Sequence, residues 1–132
     1  NVTWATVSDV RVKKDIEDST VGLSFINDLR PRTFKFKNKG DLPKEFTGSY
    51  EEGSTEAYKN SKTQHGFIAQ EVKEAIDNHS DITDGFKLWD VRETGQQEVA
   101  EAALIPMLVK AIQEMSTQVD ELKSELLALK GE

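Results

Sequence analysis

The stretch LIPMLVKAIQEMSTQVDELKSELLALK, residues 104–130, decides how this chain is built. Ile105, Leu108, Ile112, Met115, Val119, Leu122, Leu126 and Leu129 follow one another in alternating three- and four-residue steps. That period is the seam of a coiled coil, so the spacing predicts a long helix that winds against copies of itself. Ile105, Ile112, Val119 and Leu126 take the a positions and Leu or Met the d positions, a mixture that by core residues alone leans towards two strands. Leu104, Val109 and Ala111 widen the apolar face in the first half beyond what a dimer seam requires, which permits a trimer or docking against a globular part. Glu125 at g and Lys130 at the following e position can pair between parallel chains, an exposed pair that contributes about 0–1 kcal/mol. Pro106 stands near the helix start, where a missing backbone donor is tolerated.

Upstream of this helix the pattern is mixed. Phe86 to Val91 reads as a strand, followed by a turn at Thr94-Gly95. Gln64 to Ala69 passes into a helix in which Val72, Ala75 and Ile76 share one face. Thr33-Phe34-Lys35-Phe36-Lys37 alternates as a half-buried strand with the phenylalanines inward and the lysines outward. A helix of about two turns, capped by Ser19 or Thr20 and burying Leu23, Ile26 and Phe25, ends before Pro31, because the residue preceding a proline avoids helical geometry. Asn1 to Val7 reads as a strand that begins abruptly, as expected of a piece of a longer polypeptide. From 38 to 63, glycines, Pro43 and scattered Phe46, Tyr50 and Tyr58 interrupt any period, and a loop of that length asks for a functional role. The fold class expected is α+β: a small mixed core, a long excursion from it over 38–63 and a long C-terminal coiled-coil helix.

Composition narrows the possible partners. The 132 residues fit one domain plus an appendage. Twenty-four acidic against seventeen basic side chains give a net charge of -7, which disfavours nucleic acid and anionic lipid. With no cysteine, disulfides and thiolate chemistry are excluded. No stretch reaches the roughly 20 apolar residues that span a bilayer, so no membrane partner and an intracellularly made protein are expected. His65 and His79 sit in no metal-ligand spacing; His65 reads as a hydrogen-bonded core residue and His79 as a loop residue. No cofactor is expected.

One pair carries possible chemistry. A serine hydroxyl becomes a nucleophile when a base takes its proton, and a lysine serves if burial lowers its pKa towards neutrality. Ser8 and Lys13 are such a pair, although taken alone a turn serine and a solvated lysine are the far commoner case in so charged a segment. Five residues span about 17 Å in an extended chain and lie about 140° apart on a helix. Either a turn at Asp9-Val10 folds Lys13 back, or oligomerisation supplies the missing neighbour.

An ordered set of motifs runs from Ser8 nearly to the C-terminus: Ser8-Asp9-Val10-Arg11-Val12-Lys13-Lys14-Asp15-Ile16; Leu29-Arg30-Pro31 with Phe34 and Phe36; His65-Gly66-Phe67-Ile68-Ala69-Gln70-Glu71-Val72; and Leu104-Ile105-Pro106 with Leu108 to Glu114. Together they resemble the C-terminal intramolecular chaperone, a Ser/Lys self-cleaving peptidase, of phage endosialidases, tailspikes, tail fibres and neck appendages. The resemblance implies that Ser8 is the catalytic serine, that Lys13 is its partner and that the cut falls at the Ser8-Asp9 junction. It further implies a homotrimer that guides folding of the preceding β-helical stalk of its own polypeptide and then releases itself. Such a precursor is made in the host bacterial cytoplasm, and the domain is lost from the mature virion protein.

On this reading residues 1–8 are the end of the stalk and the junction, 9–98 the core with its arm at 38–63, and 99–130 the coiled-coil helix. Ring size complicates the bond: Ser8 attacking its own carbonyl closes a four-membered ring, whereas attack on the Val7 carbonyl closes a five-membered one. A hydroxyl from a neighbouring chain, or a water activated near Lys13, avoids the strain at Ser8-Asp9. The alternatives are a non-cleaving trimerisation module, and the same autocleaving domain within a membrane-anchored transcription factor.

Overall fold

A computed structural model describes residues 5–84 and 86–131. Apolar side chains from all along the chain converge on one small centre: Val21, Phe25, Val72, Ala75, Leu88 and Leu104 are buried, with Ile26, Phe67, Ile76, Ile82, Phe86, Trp89 and Met107 packed around them. Phe25 and Leu88 lose essentially all contact with solvent, at 1% and 0% exposed. The edges of His79 and Phe86 meet the Phe25 ring at centroid distances of 5.4 and 6.0 Å, an arrangement that suits the aromatic quadrupole.

The elements around this centre are short. Helix α1, Leu23–Asp28, is followed by strand β1, Arg32–Phe34, which pairs antiparallel with β2, Gln64–Gly66, placing Thr33 opposite His65. Helix α2, Ala69–Asp77, turns Val72 and Ala75 inward. Strands β3, Trp89–Val91, and β4, Gln97–Val99, form a second antiparallel pair closed at Gly95, whose φ of 90° favours glycine. One 3₁₀ turn, Glu101–Leu104, leads into helix α3, Ile105–Lys130, with Pro106 in its first turn. The protein is thus α+β, with two small antiparallel sheets and one long C-terminal helix.

Several expectations change in detail. Helix α1 is capped by neither Ser19 nor Thr20: its N-cap is Gly22, which contributes no side-chain bond. Instead the Leu23 N–H donates to Glu114 Oε1 of α3 at 3.1 Å, so the first turn is satisfied from the far end of the chain. Gly22 suits that approach, because a Cβ there would lie 1.9 Å from Glu114 Oε1 and 2.6 Å from Lys110 Cγ and would displace the carboxylate. Ser19 accepts from the Val21 N–H and Thr20 donates to Asp81. Of the strand expected over residues 1–7, Asn1 to Trp4 lie outside the described residues, and Ala5 to Val7 pair with nothing among those described. The strand expected over Phe86 to Val91 is confined to its last three residues, and β4 lacked an alternating pattern that would have announced it.

Segment 38–63 leaves the core and returns to the same place. Asn38 bridges to Ala57, the Lys39 N–H donates to the Glu56 carbonyl, and Lys39 Nζ lies between Glu51 at 3.6 Å and Glu56 at 3.4 Å. Its aromatic base is a chain of edge-on contacts from Phe34 to Phe36 to Tyr58, the inward half of the Phe-Lys-Phe-Lys alternation. Ser49 accepts from Gln96 in the β3–β4 turn at 3.2 Å.

Helix α3 divides into two halves. Leu104, just before it, and Met107, Lys110, Ala111 and Glu114 face the core, and Leu104 and Ala111 are buried. From Met115 to Gly131 every residue is exposed, a projection of about 25 Å at 1.5 Å per residue. The whole 3.5-residue seam is open to solvent in the single chain, with Ile112 66%, Leu122 63% and Leu126 52% exposed. The widening noted in the sequence therefore has two causes: Leu104 and Ala111 dock on the chain's own core, while Val109 remains exposed beside the seam. No described helix is long and apolar enough to cross a membrane.

Candidate functional site

Asp is a preferred helix-capping residue, since its carboxylate can accept from a backbone N–H two or three positions on. At Asp9 it does so: Oδ1 accepts from the Arg11 N–H at 2.8 Å and starts a single 3₁₀ turn over Val10–Val12. The Val12 and Lys13 N–H groups close the turn on the Asp9 and Val10 carbonyls at 3.1 Å each. Beyond it the chain is extended again at Lys13, with φ -119° and ψ 149°. The reversal brings Lys13 Nζ to 2.6 Å from Ser8 Oγ, a donor–acceptor contact within one chain. Of the two routes left open by the sequence, a local turn accounts for the juxtaposition.

The contact is made in water. Every residue from Ala5 to Thr20 is exposed, and Val7, Val10, Val12 and Ile16 are 66–82% exposed. Exclusion of solvent is what lets a lysine act as a base, and this one is exposed in the single chain. Arg11 holds the Asp9 carboxyl below the usual carboxylate range, first through the side-chain hydrogen bonds and then through the backbone N–H. Asp9 in turn raises the Arg11 guanidinium above its usual value. The chemistry available is nucleophilic attack by Ser8 Oγ with Lys13 Nζ as proton acceptor.

The other candidates have structural explanations. His65, expected in the core, is exposed at the centre of β2, because the outward side of this short strand falls on its position. His79 does lie in a loop, immediately after α2, yet its side chain is only 13% exposed. It packs against Phe25, and its Nε2 lies 2.6 Å from Asp28 Oδ2. The Arg30-Pro31-Arg32 run grips Glu71 in the first turn of α2, with Arg30 at 3.4 Å from one carboxylate oxygen and Arg32 at 3.3 Å from the other. The second contact is an ion pair without an aligned hydrogen bond, which leaves the buried Glu71 Oε1 short of a donor. This grip physically joins two of the sequence motifs.

Two further features were not legible beforehand. Glu114 looks like any exposed helical carboxylate, and the Asp28–His79 pair joins residues 51 positions apart. The one available signal was Gly22 directly before an apolar helix, the kind of position where another element comes close. A groove of about 650 Å³ lies between Phe46 and Tyr58 on one side and the β3–β4 hairpin on the other, away from Ser8 and Lys13. Among the described residues no group of three or more His, Asp or Glu side chains is arranged to hold a metal.

A family model described as chaperone of endosialidase, within the peptidases, matches residues 8–81. The match begins at Ser8 and spans the Asp9 turn, α1, β1, the 38–63 loop, β2 and α2. No curated protein matches the chain.

Proposed function

Because the chain belongs to the endosialidase-chaperone family, whose members are intramolecular chaperones and self-cleaving peptidases, we propose that it assembles as a homotrimer, assists folding of a β-rich phage tail stalk preceding it, and then cuts itself free beside Ser8. The observation that carries the cleavage is the 2.6 Å contact between Lys13 Nζ and Ser8 Oγ. Neutral Lys13 takes the Ser8 proton as Oγ attacks a carbonyl carbon. On the Val7 carbonyl the attack closes a five-membered ring. The C–N bond to Ser8 then breaks, and the amine takes the proton back from Lys13. The resulting ester is hydrolysed by water to a Val7 carboxylate and a free Ser8 hydroxyl. At the Ser8-Asp9 junction, a Ser8 hydroxyl from a neighbouring chain or a Lys13-activated water does the same work without ring strain.

Trimerisation is supported by the exposed seam of α3 and links assembly to chemistry. Neighbouring chains would cover α3 and the apolar side chains of the N-terminal segment, exclude water from Lys13 and favour its neutral form. Cleavage then follows assembly, and removal of the chaperone leaves the stalk kinetically trapped. The 38–63 loop, at the region expected to form the arm, is proposed as the part that meets the stalk. The precursor would be made in the bacterial host.

The rival reading, a permanent trimerisation module with an inert dyad, draws on the exposure of Ser8 and Lys13 in the single chain. Intact mass spectrometry of a longer chain carrying its upstream stalk separates the two. A product beginning at Asp9 or at Ser8, absent from Ser8→Ala and Lys13→Ala, establishes self-cleavage and fixes the bond. An intact wild-type chain establishes the permanent module.

A further inference from the structure

The Ser8–Lys13 contact depends on a turn that no other described residue holds. Among the described residues, no hydrogen bond or ion pair joins residues 8–13 to the rest of the chain, and none of the six is buried. The turn must therefore be shaped from within. Its one strong internal device is the pair Asp9 and Arg11. Asp9 Oδ1 accepts from the Arg11 backbone N–H at 2.8 Å and from Nε at 3.1 Å, while Oδ2 accepts from Nε at 3.2 Å and from Nη2 at 2.8 Å. One carboxylate thus caps the turn and lies flat in the guanidinium fork.

We propose that Asp9 and Arg11 are positioning residues for self-cleavage: the carboxylate–guanidinium clamp fixes the 3₁₀ turn that carries Lys13 back onto Ser8. The proposal rests on the Ser8/Lys13 reading above and adds two residues that touch neither reacting atom through their side chains. Without the turn, an extended chain sets the two groups up to about 17 Å apart. The fork also explains the choice of arginine, since a lysine at 11 carries the same charge but offers no planar pair of donors. Being two residues apart, Asp9 and Arg11 bend the chain locally and need no partner from the core.

The test uses the longer chain with its stalk, following the cleavage rate by intact mass, trimer content by sedimentation and Tm by calorimetry. Arg11→Ala and Arg11→Lys are expected to slow cleavage by on the order of ten-fold or more, as misplacing a reacting group does. Trimer content and Tm should not move, because a merely fold-stabilising residue would change them and the Arg11 side chain is 86% exposed and is not one of the apolar side chains that assembly would cover. Asp9→Asn, which keeps the cap and loses the fork, should slow cleavage as well. Combined with Arg11→Ala it should add little, the signature of two residues acting as one unit. Wild-type rates in both Arg11 variants overturn the proposal, and so does loss of trimer or Tm in them, since the arginine would then serve assembly or folding. Ser8→Ala and Lys13→Ala run alongside keep the two levels apart. If these still cleave, the dyad itself fails; if they are inert while the Arg11 variants cut normally, only the positioning role fails.

Discussion

The two halves of α3 use similar apolar side chains for opposite purposes. In the first half Leu104, Met107 and Ala111, with Glu114, press against α1 and the core. These positions each precede a seam residue, Ile105, Leu108, Ile112 and Met115, by one, which turns them about 100° around the helix. In the second half the seam continues, and every residue from Met115 to Gly131 is exposed. One helix thus carries a face docked on its own core and an exposed apolar seam, overlapping for three turns and then parting. If the helix assembles as proposed, neighbours covering the seam would add to the order of this projecting half. The docked half ties the seam to the fold, because Glu114 lies between the seam residues Ile112 and Met115 and caps α1.

The sharpest way to break this contrast is to charge the free half. Leu122→Asp with Leu126→Asp should abolish trimers in sedimentation equilibrium and abolish cleavage with them. The near-ultraviolet dichroism of Trp89, packed on the core, should persist. A monomer that still cuts itself would sink the link between assembly and chemistry. A blow to the docked side acts differently: Phe25→Ala empties a fully buried site and should cost about 3–5 kcal/mol in urea unfolding at fixed protein concentration. Smallest is the joint between the halves. Glu114→Ala and Gly22→Ala should each lower stability by about 0.5–2 kcal/mol, the size of a lost cap. The new methyl at 22 evicts the Glu114 carboxylate, so the double variant should be little worse than either single one. Full additivity would show that the two residues do not share that bond.

Elements written by local pattern were legible in advance. The seam of α3, the inward face of α2 and the alternation of Phe34 and Phe36 depend on residues within a few positions of one another. Where a distant group satisfied the backbone, the sequence misled. Ser19 and Thr20 have good capping chemistry, yet α1 starts later and takes its acceptor from Glu114, 91 residues on. His65 was assigned to the core on apolar neighbours, but a three-residue strand sends its middle side chain outward. At the candidate site the residue types and the need for a bend could be read from Ser8, Asp9 and Lys13. The carboxylate–guanidinium fork could not, because it is a matter of angles and not of spacing.

By itself the sequence determined the class of fold, the long helix with its apolar seam, and the serine and lysine that stand as candidates for chemistry. Each is encoded in periodicity or side-chain type, which short-range sterics and burial translate directly into structure. Only the tertiary structure decided which face of α3 docks on its own core and which stays open to solvent. It alone also placed Glu114 at the start of α1 and brought Lys13 to Ser8 across a single turn. These are meetings of groups in space, and a linear pattern holds no distances between residues that the fold itself brings together.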